Sequence, residues 1–284
     1  MHVPVNGVRL YFDVEGASLV ADSSRMRQKP TLLMLHGGPG AFDHSHYKPA
    51  FSTLSDIAQI VYYDHRWNGR SDAGDPTTWN LAQWGDDVRG FCDALGIERP
   101  IVFGQSFGGF VAQSYATRHP DHSAKLILWS TAAQMDLHAV FDAFERLGGT
   151  AAREIAEGRW LRPNPDTVAA YREQCFPLYN TRGHIDAEVR GRTIIREAVA
   201  MHFSAPGHEI SRMDFRAALA GVQCPTLVVA GEEDPITPPA FSGVIAACLP
   251  QHLVRFERFD GCGHGVHSDD PERAFSLLRD FILS

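Results

Sequence analysis

The 284-residue chain is 44% hydrophobic and 21% charged with a formal net charge of −8, values that exclude a disordered or low-complexity chain. The acidic balance leaves no basic footprint for nucleic acid or an anionic membrane, and nowhere do about 18 apolar residues run together as a membrane span would require. The five cysteines, Cys92, Cys175, Cys224, Cys248 and Cys262, are odd in number, scattered and without C-x-x-C spacing. Free buried thiols are therefore expected rather than a disulfide framework or a zinc site.

The first seven residues carry no basic stretch followed by an apolar one, so a cytoplasmic protein is expected. After the Asn6-Gly7 turn, residues 8–14 alternate nearly with period two, which predicts an initial antiparallel strand or hairpin. Short β-rich runs follow at 31–35, 60–63, 101–103, 126–129, 226–230 and 253–256, each ending near Gly, Asp, Ser or His. Leu81, Trp84, Val88, Phe91 and Leu95 recur at spacings of three and four, with Asn80 placed as an N-cap, and predict an amphipathic helix. Such alternation is the signature of a mostly parallel sheet covered by helices on both faces. From 134 to 220 the strand signal disappears. Helical stretches at 139–147 and 193–202 take over, broken by Pro163-Asn164-Pro165 and Ala205-Pro206-Gly207. The expected organisation is a sheet domain, 1–133 with 221–284, carrying an inserted helical cap at 134–220.

Gly104-Gln105-Ser106-Phe107-Gly108 follows the 101–103 run directly and precedes a helical pattern that Arg118-His119-Pro120 stops. A G-x-S-x-G between strand and helix is a nucleophile elbow, in which the serine is held in a strained conformation that only small neighbours permit. Gly104, Gly108 and Gly109 supply that room, and Ser106 is the expected nucleophile. Such a serine needs a base, a group that orients the base, and donors for the oxyanion. Gly231-Glu232-Glu233-Asp234-Pro235 follows the 226–230 run and offers Asp234 as the orienting acid, with Glu232 and Glu233 as rivals. Asp260-Gly261-Cys262-Gly263-His264-Gly265-Val266-His267 offers His264 as the base; His267 is the rival, expected to begin the next helix, whose first turn holds Pro271 and Glu272. Leu35-His36-Gly37-Gly38-Pro39-Gly40 follows the 31–35 run, and the N–H groups of Gly38 and Phe107 are expected to meet the oxyanion.

His36-Gly37-Gly38-Pro39-Gly40, then Asp64-His65-Arg66-Trp67-Asn68-Gly69-Arg70-Ser71, the Ser106 elbow, Asp234 and His264 together resemble the successive motifs of the proline iminopeptidases, an α/β-hydrolase family. The resemblance implies an α/β-hydrolase fold with an eight-stranded sheet, a Ser106–Asp234–His264 triad, an oxyanion hole at Gly38 and Phe107, and no cofactor. Gly37 and Trp67 are expected beside the substrate. The family usually has Gln-Arg-Gly where this chain has His65-Arg66-Trp67, and Trp where it has Phe107. Family members grip the substrate's ammonium with cap glutamates, one just before a segment that Val199-Ala200-Met201-His202-Phe203 resembles; here that acid is missing, and Glu197 and Glu209 are the nearby carboxylates.

The function expected is that of a serine hydrolase cleaving a small ester, lactone or amide through an acyl-enzyme. The alternatives are a true proline iminopeptidase and a non-catalytic ligand-binding relative. An aspartate-nucleophile dehalogenase or epoxide hydrolase does not fit Ser106. Asp43-His44-Ser45-His46, with His36 and His65, shows no known metal spacing, so no metal is expected. Small molecules or short peptides are the expected partners; the oligomeric state is open.

Overall fold

The structure, a computed structural model, describes residues 1–182 and 187–284. Strands β1 (His2–Val5), β2 (Val8–Glu15), β5 (Thr31–Leu35), β6 (Gln59–Tyr63), β7 (Ile101–Gln105), β8 (Lys125–Trp129), β9 (Thr226–Gly231) and β10 (Val254–Phe259) form one sheet in the order β1-β2-β6-β5-β7-β8-β9-β10. Only β1 and β2 run antiparallel to their neighbours; every pairing from β6 to β10 is parallel. The remaining strands, β3 (Leu19–Asp22) and β4 (Arg25–Gln28), make a separate two-stranded ribbon.

The helices are α1 (Lys48–Phe51), α2 (Leu81–Leu95), α3 (Phe107–Arg118), α4 (Leu137–Leu161), α5 (Pro165–Gln174), α6 (Ala187–Arg192), α7 (Glu197–Ser204), α8 (Glu209–Arg212), α9 (Pro239–Cys248), α10 (Val266–Asp269) and α11 (Pro271–Leu283). Successive residues of a strand point to opposite faces, and the core divides accordingly. Leu33, Leu35, Val102, Leu126, Leu128 and Val228 pack with α2, α3 and α9. Leu32, Met34, Ile101, Phe103, Ile127 and Val229 pack with α1 and α11 on the other face. Because the strands from β5 to β10 run the same way, the residues that follow them gather along one edge of the sheet, the usual place for a site in such folds.

The expected strands are all present, the initial run pairs with β1 as a hairpin across Asn6-Gly7, and Asn80 caps α2 by accepting from Gln83 N–H. The cysteines are free, four of them buried and Cys248 partly so. The chain between β8 and β9 runs through α4 to α8 and, among the described residues, adds no strand to the sheet; residues 183–186 of the expected cap lie outside the description. Among the described residues no helix is long and apolar enough to cross a membrane.

Three boundaries differ from those the sequence predicts, the first being that His267 lies in the separate α10 while the helix with Pro271 and Glu272 in its first turn begins at Pro271. α4 extends to Leu161, past a non-helical Gly149 at φ 74°. α7 begins at Glu197 rather than at 193, because the N–H of Ile194 goes to Asp43 Oδ2 at 2.9 Å and that of Arg196 to the Gly40 carbonyl at 2.7 Å. Amides bound to distant groups are not available for a helical turn.

Candidate active site

The turn from β7 into α3 places Ser106 at φ 55° and ψ −123°, a conformation that a non-glycine residue holds only when its surroundings impose it. They do so here. Ser106 N–H donates to the carbonyls of Trp129 and Ser130, both at 3.0 Å, and the Ser106 carbonyl accepts from Thr131 Oγ1 at 2.8 Å. A Cβ on Gly108 would run into the Leu35 carbonyl, and one on Gly104 would stand 2.8 Å from Ala112 Cβ, so both glycines are required by close approach. Ser106 itself is half-buried.

Asp234, fully buried after β9, accepts from the N–H groups of Ile236 and Thr237, each at 2.9 Å, and from Thr237 Oγ1 at 2.7 Å. Its Oδ2 also accepts from His264 Nδ1 at 2.8 Å. That bond fixes the tautomer and leaves Nε2 as the basic nitrogen. The rival acids point elsewhere: Glu232 is paired with Arg258 and Glu233 with Arg146 at the surface. His267 lies in α10, buried against Phe51 and Tyr47, and burial followed by the neighbouring His46 and His264 pushes its pKa down to about 3. Gln105 Nε2 ties the histidine loop to the elbow by donating to the His264 carbonyl at 3.0 Å. Among the described residues no hydrogen bond joins Ser106 to His264.

Neither Gly38 N–H nor Phe107 N–H donates to any group among the described residues. Open backbone donors, one of them on the residue that follows Ser106, are what an oxyanion requires. Around them the loop is well tied. Gly37 N–H goes to Tyr47 Oη at 3.2 Å, a Cβ on Gly37 would lie 3.5 Å from that of Ser106, and Gly40 N–H goes to Asn68 Oδ1 at 2.9 Å. The second motif therefore braces the first. Its Arg66 forks onto buried Asp87, Nε to Oδ2 and Nη2 to Oδ1, both at 2.8 Å. Trp67 stacks on Trp79 with centroids 3.4 Å apart and faces His202 of α7.

The helical segment reaches the histidine loop directly. The Tyr179 carbonyl accepts from His264 N–H at 2.6 Å while its ring stands edge-on to the imidazole, and Asn180 Oδ1 accepts from Gly265 N–H at 2.9 Å. Asp269 Oδ2 takes Gly263 N–H at 2.7 Å, and its carboxylate also takes the N–H groups of Thr181 and Arg182. Thr237, Gln105, Asn68, Tyr179 and Asn180 were missed in the sequence. Only Thr237, three residues after Asp234 and so at turn spacing, left a local signal. Of the two acids near the His202 segment, Glu197 is 69% exposed and pairs with Arg172 at 3.3 Å. Glu209 accepts from Leu81 N–H at 2.9 Å and pairs with Arg212 at 3.1 Å.

Asp43, His44 and Asp64 bring ligand-type atoms within 4.8 Å of one another. Their oxygens are engaged internally: Asp64 with His44 N–H, His44 Nδ1 and Arg70 N–H, Asp43 with Ser45 and Ile194 N–H. His65 N–H donates to His36 Nε2 at 3.2 Å and His65 Nε2 to the His36 carbonyl at 3.0 Å, so these two rings brace neighbouring loops as neutral groups.

A family model described as the alpha/beta hydrolase fold matches residues 30–271. RutD of Agrobacterium fabrum, assigned as a carbamate hydrolase, is 28% identical over 90% of this chain and 94% of its own. The proline iminopeptidase PfmaB of Pestalotiopsis fici is 27% identical over 96% and 98%. Among solved structures, the enol-lactonase of Burkholderia xenovorans superposes with a TM-score of 0.66 over the whole of both chains at 23% identity, a likeness of fold.

Proposed function

Because this chain belongs to the alpha/beta-hydrolase fold family, we propose that it is a serine hydrolase that cleaves a small ester, lactone or amide through an acyl-enzyme. The observation that carries this reading is the fully buried Asp234 held 2.8 Å from His264 Nδ1, on a loop anchored to the residue before Ser106. His264 Nε2 takes the Ser106 proton as Oγ attacks the carbonyl carbon, while the imidazolium that forms is stabilised by the Asp234 carboxylate. The N–H groups of Gly38 and Phe107 hold the developing oxyanion. His264 then protonates the leaving group, and a water activated by the same nitrogen releases the acid. Residues 134–220 act as a cap that selects the substrate, with Gly37 and Trp67 at its wall. No metal or other cofactor enters these steps.

A second reading, release of N-terminal proline, is favoured by the His36–Gly40 loop and by the likeness to PfmaB. Against it stand the pairings of Glu197 and Glu209, because an aminopeptidase must offer a buried, unspent carboxylate to the substrate's ammonium. The deciding experiment combines a fluorophosphonate probe with parallel assays on proline anilide, its N-acylated analogue, short esters and an acyl lactone. Labelling at Ser106 with turnover of the uncharged substrates at least as efficient as of proline anilide is expected. An unlabelled serine would favour a ligand-binding protein. A large preference for free proline anilide, abolished by Glu197→Gln or Glu209→Gln, would establish the aminopeptidase.

A further inference from the structure

The helical segment between β8 and β9 carries a guanidinium that no carboxylate answers among the described residues. Arg159, in the last turn of α4, donates from Nη2 to Ser204 Oγ at 3.0 Å and lies 5.4 Å from the Trp160 ring centroid. Its Nη1 is buried without a hydrogen-bond partner among the described residues. The other arginines of the same helix are satisfied: Arg146 by Glu233, and Arg153 by Asp142, Glu145 and Glu157. A buried cationic N–H left without an acceptor is costly, whereas an apolar side chain of similar volume would carry no such cost. An acceptor brought by a ligand accounts for it.

Two lines of contact lead from Arg159 to the reacting groups. Its partner Ser204 follows Phe203, whose ring lies 5.1 Å from that of Phe107. On the other side α4 packs against α5, which carries Tyr171, and the Tyr179 ring lies 5.3 Å from His264. The two hydroxyls are 2.8 Å apart. One O–H is directed at its neighbour, so the other is free to donate elsewhere, and burial keeps both phenols protonated far above neutral pH. A guanidinium N–H and a phenolic O–H are thus carried by side chains linked through their neighbours to Phe107 and to His264, and such donors together match a carboxylate.

We infer that Arg159, with the Tyr171–Tyr179 hydroxyl pair, binds a free carboxylate on the acyl part of the substrate, so that the hydrolase acts on compounds such as half-esters of short dicarboxylic acids. This rests on Ser106 being the nucleophile. The same cation disfavours a substrate ammonium, in keeping with the pairing of Glu197 with Arg172 and of Glu209 with Arg212.

The test compares monoethyl glutarate with ethyl pentanoate, which exchanges the carboxylate for a methyl group, by pH-stat on the intact protein. A preference of roughly tenfold or more in kcat/KM for the acid is expected, and glutarate should slow labelling of Ser106 by a fluorophosphonate. In Arg159→Gln the preference should fall by about tenfold and glutarate protection should disappear, while Arg159→Lys keeps part of both. Equal kcat/KM for the two esters in the wild-type enzyme overturns the inference, as does a preference that survives in folded Arg159→Gln. If that variant does not fold, the wild-type ester ratio and glutarate protection decide by themselves. Labelling at Ser106 without acid preference removes this inference alone; no labelling and no turnover removes the hydrolase reading and this with it.

Discussion

Ser106, His264 and Asp234 act as a unit in the proposed mechanism, so Ser106→Ala or His264→Ala should each lower turnover by roughly four to six orders of magnitude. Unchanged thermal melting would show that the fold is intact, and near-wild-type activity in folded Ser106→Ala would sink the mechanism. Asp234→Asn should cost on the order of 10⁴ in turnover, because the amide no longer fixes the imidazole tautomer. Glu232→Gln and Glu233→Gln should stay close to wild type, since their carboxylates pair with surface arginines. Steady-state kinetics on the three acid variants separates the roles of Asp234, Glu232 and Glu233. The choice among them was open in the sequence, where three consecutive carboxylates follow one strand. The pairing with His264 depends on the relative placement of two loops about 30 residues apart, and no local pattern encodes that.

At the scale of elements, the arginine of the second motif is a structural clasp. Arg66 and Asp87 are 1% exposed each, and Asp87 also accepts from Asn6 and Gln83, so the pair joins α2 to the exit of β6 and to the first hairpin. Removing one partner leaves a buried charge unanswered. Asp87→Ala is expected to destabilise the protein by about 3–5 kcal/mol, read from urea unfolding; a loss below about 1 kcal/mol would mean that water reaches the guanidinium. Asn180→Ala withdraws the acceptor from Gly265 N–H and should lower kcat several-fold with little change in KM or melting temperature. An unchanged kcat would separate the histidine loop from the helical segment. Strands buried on both faces were legible from their short β-branched runs. The β3–β4 ribbon was not, because none of its residues is buried and its second strand carries no apolar run.

For the whole molecule, buried neutral histidines set the response to acid. The pKa of His267 is pushed down to about 3 in the fold, against about 6.5 in an unfolded chain. Between those values the unfolded chain binds a proton that the fold refuses. Stability is therefore fully present above about pH 6.5 and is lost as the pH falls toward 3. Burial moves His36 and His65 in the same direction, and each such group contributes a slope of up to about 1.4 kcal/mol per pH unit. Urea midpoints should hold steady from pH 8 to 7 and drop between pH 6 and 4.5, with a shallower drop in His267→Leu. A flat profile down to pH 4.5 would show that these rings are charged in the fold.

The sequence by itself determined the alternating strands and helices, the elbow around Ser106 and the glycine loop before it, because each rests on interactions within a few residues: turn conformation, capping and the period of burial. Only the tertiary structure decided which acid meets His264, that Glu197 and Glu209 are already paired, and that Arg159 is left with a buried N–H unanswered among the described residues. Those outcomes depend on the distances and burial of groups far apart in the chain, and an ionisable side chain has the same letter in the sequence whether its partner is a neighbour, water or a substrate.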